Sequence, residues 1–130
     1  MKKILAAFLV VALLSSFNSP NLKGLWQYCG ETFNGKRNAA SADYTLQRKY
    51  DKKHFEAIVL EKGEKPYTYE SGDYSLNADT CLETQTFCAQ KSATLGKTIT
   101  YTYTIINDTL TFKGILPNGN TVESYWKKVK

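Results

Sequence analysis

Few side chains in this 130-residue chain have chemical reach. The sole histidine, His54, stands next to a basic group formed by Arg48, Lys49, Lys52 and Lys53, which reads as a solvated hairpin tip. Glu83 lies in the middle of a segment with strand character. A His and a carboxylate that both face a partly apolar interior can move a proton or hold the polar end of a ligand. One His cannot form the usual multi-histidine metal site, and CxxC and HExxH spacings are absent, so neither a metal nor another cofactor is expected. The chain also lacks a G-x-S-x-G elbow, a phosphate-cradling glycine loop and the H-x-E…P-C-x-x-C deaminase signature. Residue types and spacing therefore favour binding over catalysis.

The nine tyrosines are more suggestive. Tyr101 and Tyr103, with Tyr74 and Tyr125 as companions, are predicted to present apolar rings with hydroxyl tips to an interior. Such walls suit a small apolar or amphipathic ligand, because ring area supplies burial while each phenol asks for a hydrogen-bond partner. The candidate ligand-contacting set is accordingly Tyr101, Tyr103, Tyr74, His54 and Glu83. Two outcomes stay open at this point: the rings wall a cavity, or they fill the interior completely.

These residues need strands to position them. Strict alternation of Ile99, Tyr101, Tyr103 and Ile105 with Thr98, Thr100, Thr102 and Thr104 is a period of two with one apolar face, which no helix produces. Seven further segments read as strands: Leu22 to Tyr28, Tyr44 to Tyr50, His54 to Glu61, Tyr67 to Leu76 with a bulge at Gly72, Thr80 to Cys88, a segment through Leu110 and Phe112, and Thr121 to Val129. Gly30 to Ala42 is predicted as a loop with Asn34-Gly35 as its turn signal, and Lys91 to Gly96 as a second loop. Eight strands with short links imply an all-β fold, an eight-stranded antiparallel up-and-down barrel, with a sandwich as the alternative.

Residues 1–19 have the form of a secretory signal, with Lys2 and Lys3 ahead of the apolar run Ile4 to Leu14, which is too short to span a bilayer as a helix. The mature domain, residues 20–130, is expected to be periplasmic or secreted, monomeric and without a transmembrane segment. Removing Lys2 and Lys3 leaves fifteen basic against twelve acidic side chains, a net charge of +3, which is too small to argue for nucleic acid. Three cysteines reach an oxidising compartment. Cys81 and Cys88 would lie about 23 Å apart on one continuous strand, against roughly 4.4 to 6.8 Å for a disulfide. Pairing of Cys29 with Cys88 is the expected alternative, since both close their strands and those strands run the same way.

Gly24-Leu25-Trp26 is the G-x-W pattern of lipocalins. His54-Phe55, the stretch Ser71-Gly72-Asp73-Tyr74-Ser75-Leu76, Glu83, Leu95 to Thr98, Asn107 to Leu110 and the ending Glu123 to Val129 follow in order. Taken together they resemble a family of small exported lipocalin-like proteins of Gram-negative bacteria whose function is mostly unassigned. The resemblance implies a barrel closed at one end by Trp26 of the motif that Gly24 opens, and Trp126, on the last strand beside the first in a closed barrel, is expected to seal the seam with Trp26. Classical lipocalins lay an Arg near the end of the last strand over that Trp; here Lys127 and Lys128 stand there, without the planar fork that stacks on indole.

Overall fold

The computed structural model describes residues 21–130, so the expected signal segment lies outside the described residues. Nine strands follow in chain order: β1 (Gly24–Phe33), β2 (Lys36–Ala39), β3 (Tyr44–Tyr50), β4 (His54–Glu61), β5 (Tyr67–Asn77), β6 (Thr80–Cys88), β7 (Thr98–Ile106), β8 (Thr109–Ile115) and β9 (Thr121–Lys128). Eight of them, β1 and β3 to β9, pair antiparallel in sequence, and β9 returns to pair with β1 from Trp26↔Lys128 to Phe33↔Val122. That last pairing closes the ring and excludes a sandwich, which would leave two open edges. No helix among the described residues is long and apolar enough to cross a membrane.

The ninth strand is where the structure departs from the sequence reading. Gly30 to Ala42 is mostly a hairpin: β1 continues to Phe33, turns through Asn34 and Gly35 at φ 48° and 82°, and returns as β2. Two consecutive left-handed residues are what a two-residue hairpin turn needs, and Asn-Gly supplies them cheaply. The hairpin was hidden because all four β2 residues are exposed and show no apolar alternation.

One half of the barrel is filled. Leu22 and Trp26 plug the end where the chain enters, and the indole Nε1 donates to the Leu22 carbonyl at 2.8 Å. Lys128 places its Nζ 5.5 Å from the Trp26 ring centroid, so a cation does cover this tryptophan, as a point charge instead of a stacked plane. Above the plug, Tyr50 contacts the rings of Phe55, Tyr74 and Phe112 at centroid separations of 6.1, 5.0 and 6.3 Å. Two glycines create room for such rings by having no side chain. Gly72 pairs with Phe55 across β4 and β5, and Gly114 pairs with Tyr101 across β7 and β8. A Cβ on Gly114 would meet the Tyr101 ring at 2.6 Å.

Three residues drop out of register and bend the wall: Cys29 in β1, Tyr69 in β5 and Thr86 in β6. The last of these faces the predicted irregularity at Gly72, which occupies the same step of the β5–β6 ladder.

The expected Cys29–Cys88 bond is not formed, and all three thiols are free. The strands that carry them are parallel in direction, as anticipated, but β1 and β6 stand four steps apart whichever way the ring is followed. They face each other across the full diameter, where no disulfide can reach. Cys81 is instead a buried core residue, and burial pushes its thiol pKa up to about 12.

Candidate ligand site

Phase along β3 explains the middle of the barrel. Leu46, Arg48 and Tyr50 share one face of the strand, so Arg48 points inward although Lys49 beside it is solvated. Grouping Arg48 with a solvated hairpin tip was therefore incorrect. Its Nη2 lies 2.9 Å from Glu70 Oε1 on β5 and 3.0 Å from Glu83 Oε1 on β6. The Tyr50 hydroxyl donates to the other Glu83 oxygen at 2.6 Å, and Gln85 Nε2 donates to Glu70 Oε2 at 2.5 Å.

Burial works against the Arg48 charge, and Glu83 foremost, with Glu70 behind it, more than restores it; the net result holds the guanidinium well above its ordinary pKa. Burial, reinforced by the Glu83 carboxylate, keeps the Tyr50 phenol protonated and donating. The guanidinium also sits over aromatic faces, 4.5 Å from the Phe55 centroid and 5.6 Å from that of Trp126. Arg48 Nε is buried and has no hydrogen-bond partner among the described residues.

This charged layer separates the filled half from an open one. Toward the mouth, β1 pairs with β3 only from Gly24↔Tyr50 to Gln27↔Gln47, then leaves it to pair with β2. The gap so created is a hollow of about 490 Å³ walled by Tyr28, Tyr44, Tyr69 and Trp126, with Glu31 and Leu46 among the other lining residues. The Tyr28 and Trp126 rings meet edge to face at 5.2 Å, and the Tyr28 hydroxyl donates to Glu31 Oε1 at 2.7 Å. Desolvation and the neighbouring Glu31 raise the Tyr28 pKa, and burial brings Tyr69 up to about 12, so both phenols remain protonated donors at neutral pH.

A smaller cavity of about 250 Å³ lies at the other side of the mouth, lined by Glu70, Glu83, Gln85 and Tyr101 among others. The loop between β6 and β7 is tied onto it: Ser92 Oγ and Thr94 Oγ1 both donate to Gln85 Oε1, at 2.6 and 3.1 Å.

The five residues singled out from sequence are therefore dispersed. Glu83 and Tyr101 share the smaller cavity. Tyr74 and Tyr103 belong to the filled half, and their hydroxyls donate to the backbone carbonyls of Asp51 and Ala78 at the turns. His54 stands outside the barrel with its side chain 66% exposed, and its Nδ1 is 2.5 Å from Asp73 Oδ1. Phe55, its neighbour in β4, takes the inward position, so His54 and Glu83 do not meet across a lumen. Tyr125 is likewise on the outer face, where Arg37 covers its ring at 4.8 Å.

Of the residues expected to be structural, Trp26 and Trp126 are both buried, and Gly24, at φ 133°, lets the chain pass against the carbonyl of Lys130. Arg48, Glu70, Gln85, Tyr28, Tyr69 and Glu31 were missed. For Arg48 the signal existed in the inward phase of Leu46 and Tyr50; for Tyr69 the unpaired bulge hides the phase altogether.

No family model and no curated protein matches the chain. Among solved structures it is similar to a lipocalin-like protein from Bacteroides uniformis, with 18% identity and a TM-score of 0.56 over 82% of this chain and 97% of that one. It is also similar to an uncharacterized protein from Bacteroides eggerthii, with 16% identity and a TM-score of 0.59 over 83% and 99% of the two chains. At these identities the likeness establishes the fold, which is lipocalin-like.

Proposed function

We propose that this lipocalin-like barrel is an exported, monomeric binder of a small apolar or amphipathic molecule, held at the open end and not transformed there. The observation that carries this reading is the aromatic hollow between β1, β2 and β3. A volume of about 490 Å³ fits the range typical of small-molecule sites, roughly 300 to 1,000 Å³, and rings with hydroxyl tips offer both burial and orientation. The ionic layer of Arg48, Glu70 and Glu83 gives the open half a polar floor, so a ligand enters from the mouth and does not reach the filled half.

Native mass spectrometry of the mature protein, purified from its own compartment and compared with the denatured mass, tests this. A reproducible additional mass that leaves on denaturation, and that is lost in Trp126→Ala, is the expected result. A bare protein mass that persists after incubation with lipid and metabolite extracts overturns it. That outcome favours an interaction module instead, a reading that has its own support in the exposed Tyr67, Phe87, Leu95 and Ile115 around the same end of the barrel.

A further inference from the structure

We propose that the ligand of the hollow is an organic ammonium ion, its cationic head among Tyr28, Tyr44, Tyr69 and Trp126 and its charge facing Glu31. This rests on the small-molecule reading above and assigns that site a chemical class.

The sign of the wall is the first argument. The chain beyond the expected signal is net basic, yet among the described residues lining the hollow the only ionisable carboxylate is Glu31, and no Lys or Arg is present. An anionic ligand would be brought against a carboxylate with no cation to receive it. A neutral apolar ligand would cover Glu31 and strip its water without replacing the lost interactions. A cation compensates the carboxylate as it covers it.

The second argument is the aromatic wall. The face of a phenol or indole ring is the negative end of its quadrupole, and several such faces around one space favour a soft, weakly hydrated cation over water. The same barrel already holds a cation in this manner. Arg48 lies within 6 Å of the Phe55, Tyr50 and Trp126 ring centroids, and Trp126 is shared between that cluster and the hollow.

Nor does Arg48 make the interior positive. Two carboxylates, Glu70 and Glu83, are paired with its single charge, so the layer beneath the hollow carries no excess cation. Tyr28 completes the arrangement, because its hydroxyl bond to Glu31 Oε1 at 2.7 Å holds ring and carboxylate in one geometry.

The test is an amide NMR titration of the mature protein with three probes of nearly the same shape: choline, the neutral 3,3-dimethylbutan-1-ol and the anionic 3,3-dimethylbutanoate. Choline is expected to shift the resonances of Tyr28, Glu31, Tyr44, Tyr69 and the Trp126 indole, and to bind about tenfold or more tightly than the alcohol, the effect of one or two favourable cation–π contacts. Glu31→Gln, at a partly exposed position where the amide oxygen can still accept from Tyr28, is expected to weaken choline at least threefold and leave the alcohol unchanged. Equal or better binding of the alcohol or the carboxylate at these resonances overturns the ammonium assignment while the small-molecule reading stands. Silence of these resonances with all three probes also overturns the assignment, and the co-purified mass then decides the broader reading separately.

Discussion

Arg48 and Glu83 are side chains with 10% and 6% exposure in the middle of the barrel, and their pairing sets a quantitative expectation. Replacing Arg48 by Met leaves Glu83 with one donor, Tyr50, and Glu70 with one, Gln85. Two carboxylates then face each other without a counter-ion, and breaking a buried pair from one side costs about 3–5 kcal/mol. Glu83→Gln is milder, about 2 kcal/mol, because Glu70 still neutralises Arg48 at 2.9 Å and the amide oxygen still accepts from Tyr50. In the double variant both partners of the Arg48–Glu83 pair are gone and only Glu70, at 24% side-chain exposure, is left without its counter-ion, so the cost is expected at about 3 kcal/mol. Taking Arg48→Met at about 4 kcal/mol, the coupling between the two positions is about 3 kcal/mol, at the upper end of what contacting residues show. Urea unfolding of the four proteins at neutral pH, with midpoints compared at constant m, measures it. A double variant as costly as the sum of the singles, or an Arg48→Met variant within about 1 kcal/mol of the parent, refutes the claim that this pair is the electrostatic centre of the barrel.

Alkali and the glycines give independent checks. Burial raises Tyr69 and Tyr101 from 10.0 to about 12 and Cys81 from 9.0 to about 12. The folded protein thus holds these protons more tightly than the unfolded chain, and stability fully present below about pH 9 is lost as pH rises toward 12, by about 3 kcal/mol for each tyrosine. A urea midpoint unchanged between pH 8 and about 11 would contradict this burial. Gly72→Ala would drive a Cβ into the carbonyl of Thr84 and to 2.9 Å from Phe55 Cε1, whereas Gly114→Ala meets only the Tyr101 ring and the Thr100 carbonyl at 3.4 Å. Thermal unfolding should show Gly72→Ala as the more damaging, above about 3 kcal/mol against roughly 1–3 for Gly114→Ala, and the reverse order would show that the rings yield less readily than the strand.

What could be read from the chain was decided by period. Thr98 to Ile106 alternates so strictly that strand and inward face are both fixed, and the two-residue turn at Asn107-Asp108, with φ of 50° and 60°, follows from residue type. The site was less legible, because it depends on departures from period. Tyr69 faces the hollow only because β5 carries an unpaired residue there, and Glu31 does so because the unpaired Cys29 shifts β1 by one residue, which puts Tyr28 and Glu31 on the same side. Arg48 was misassigned by its neighbours in sequence, Lys49, Lys52 and Lys53, when its neighbours in space are Glu70 and Glu83. His54 attracted attention as the sole histidine, yet Phe55 owns the inward phase. Composition reports which groups exist, but a one-residue slip decides which side of the wall they occupy.

The pairing of β9 with β1 also brings the two ends of the described chain together: Leu25 N donates to the Lys130 carbonyl at 2.7 Å, and Val129 N to the Leu25 carbonyl at 2.8 Å. The strand order is consequently a cycle in which the place where the polypeptide begins is an accident of connectivity. A short peptide joining the ends would turn the chain into a loop that can be reopened at an exposed turn, such as Pro117 to Asn120, with each of the eight strands of the ring keeping both neighbours. Because the strands run antiparallel and both ends leave from the plugged side, a force applied to the termini would peel this seam one hydrogen bond at a time instead of shearing all of them at once. The barrel's mechanical resistance is therefore set by direction of loading, and is low along the line joining its own termini.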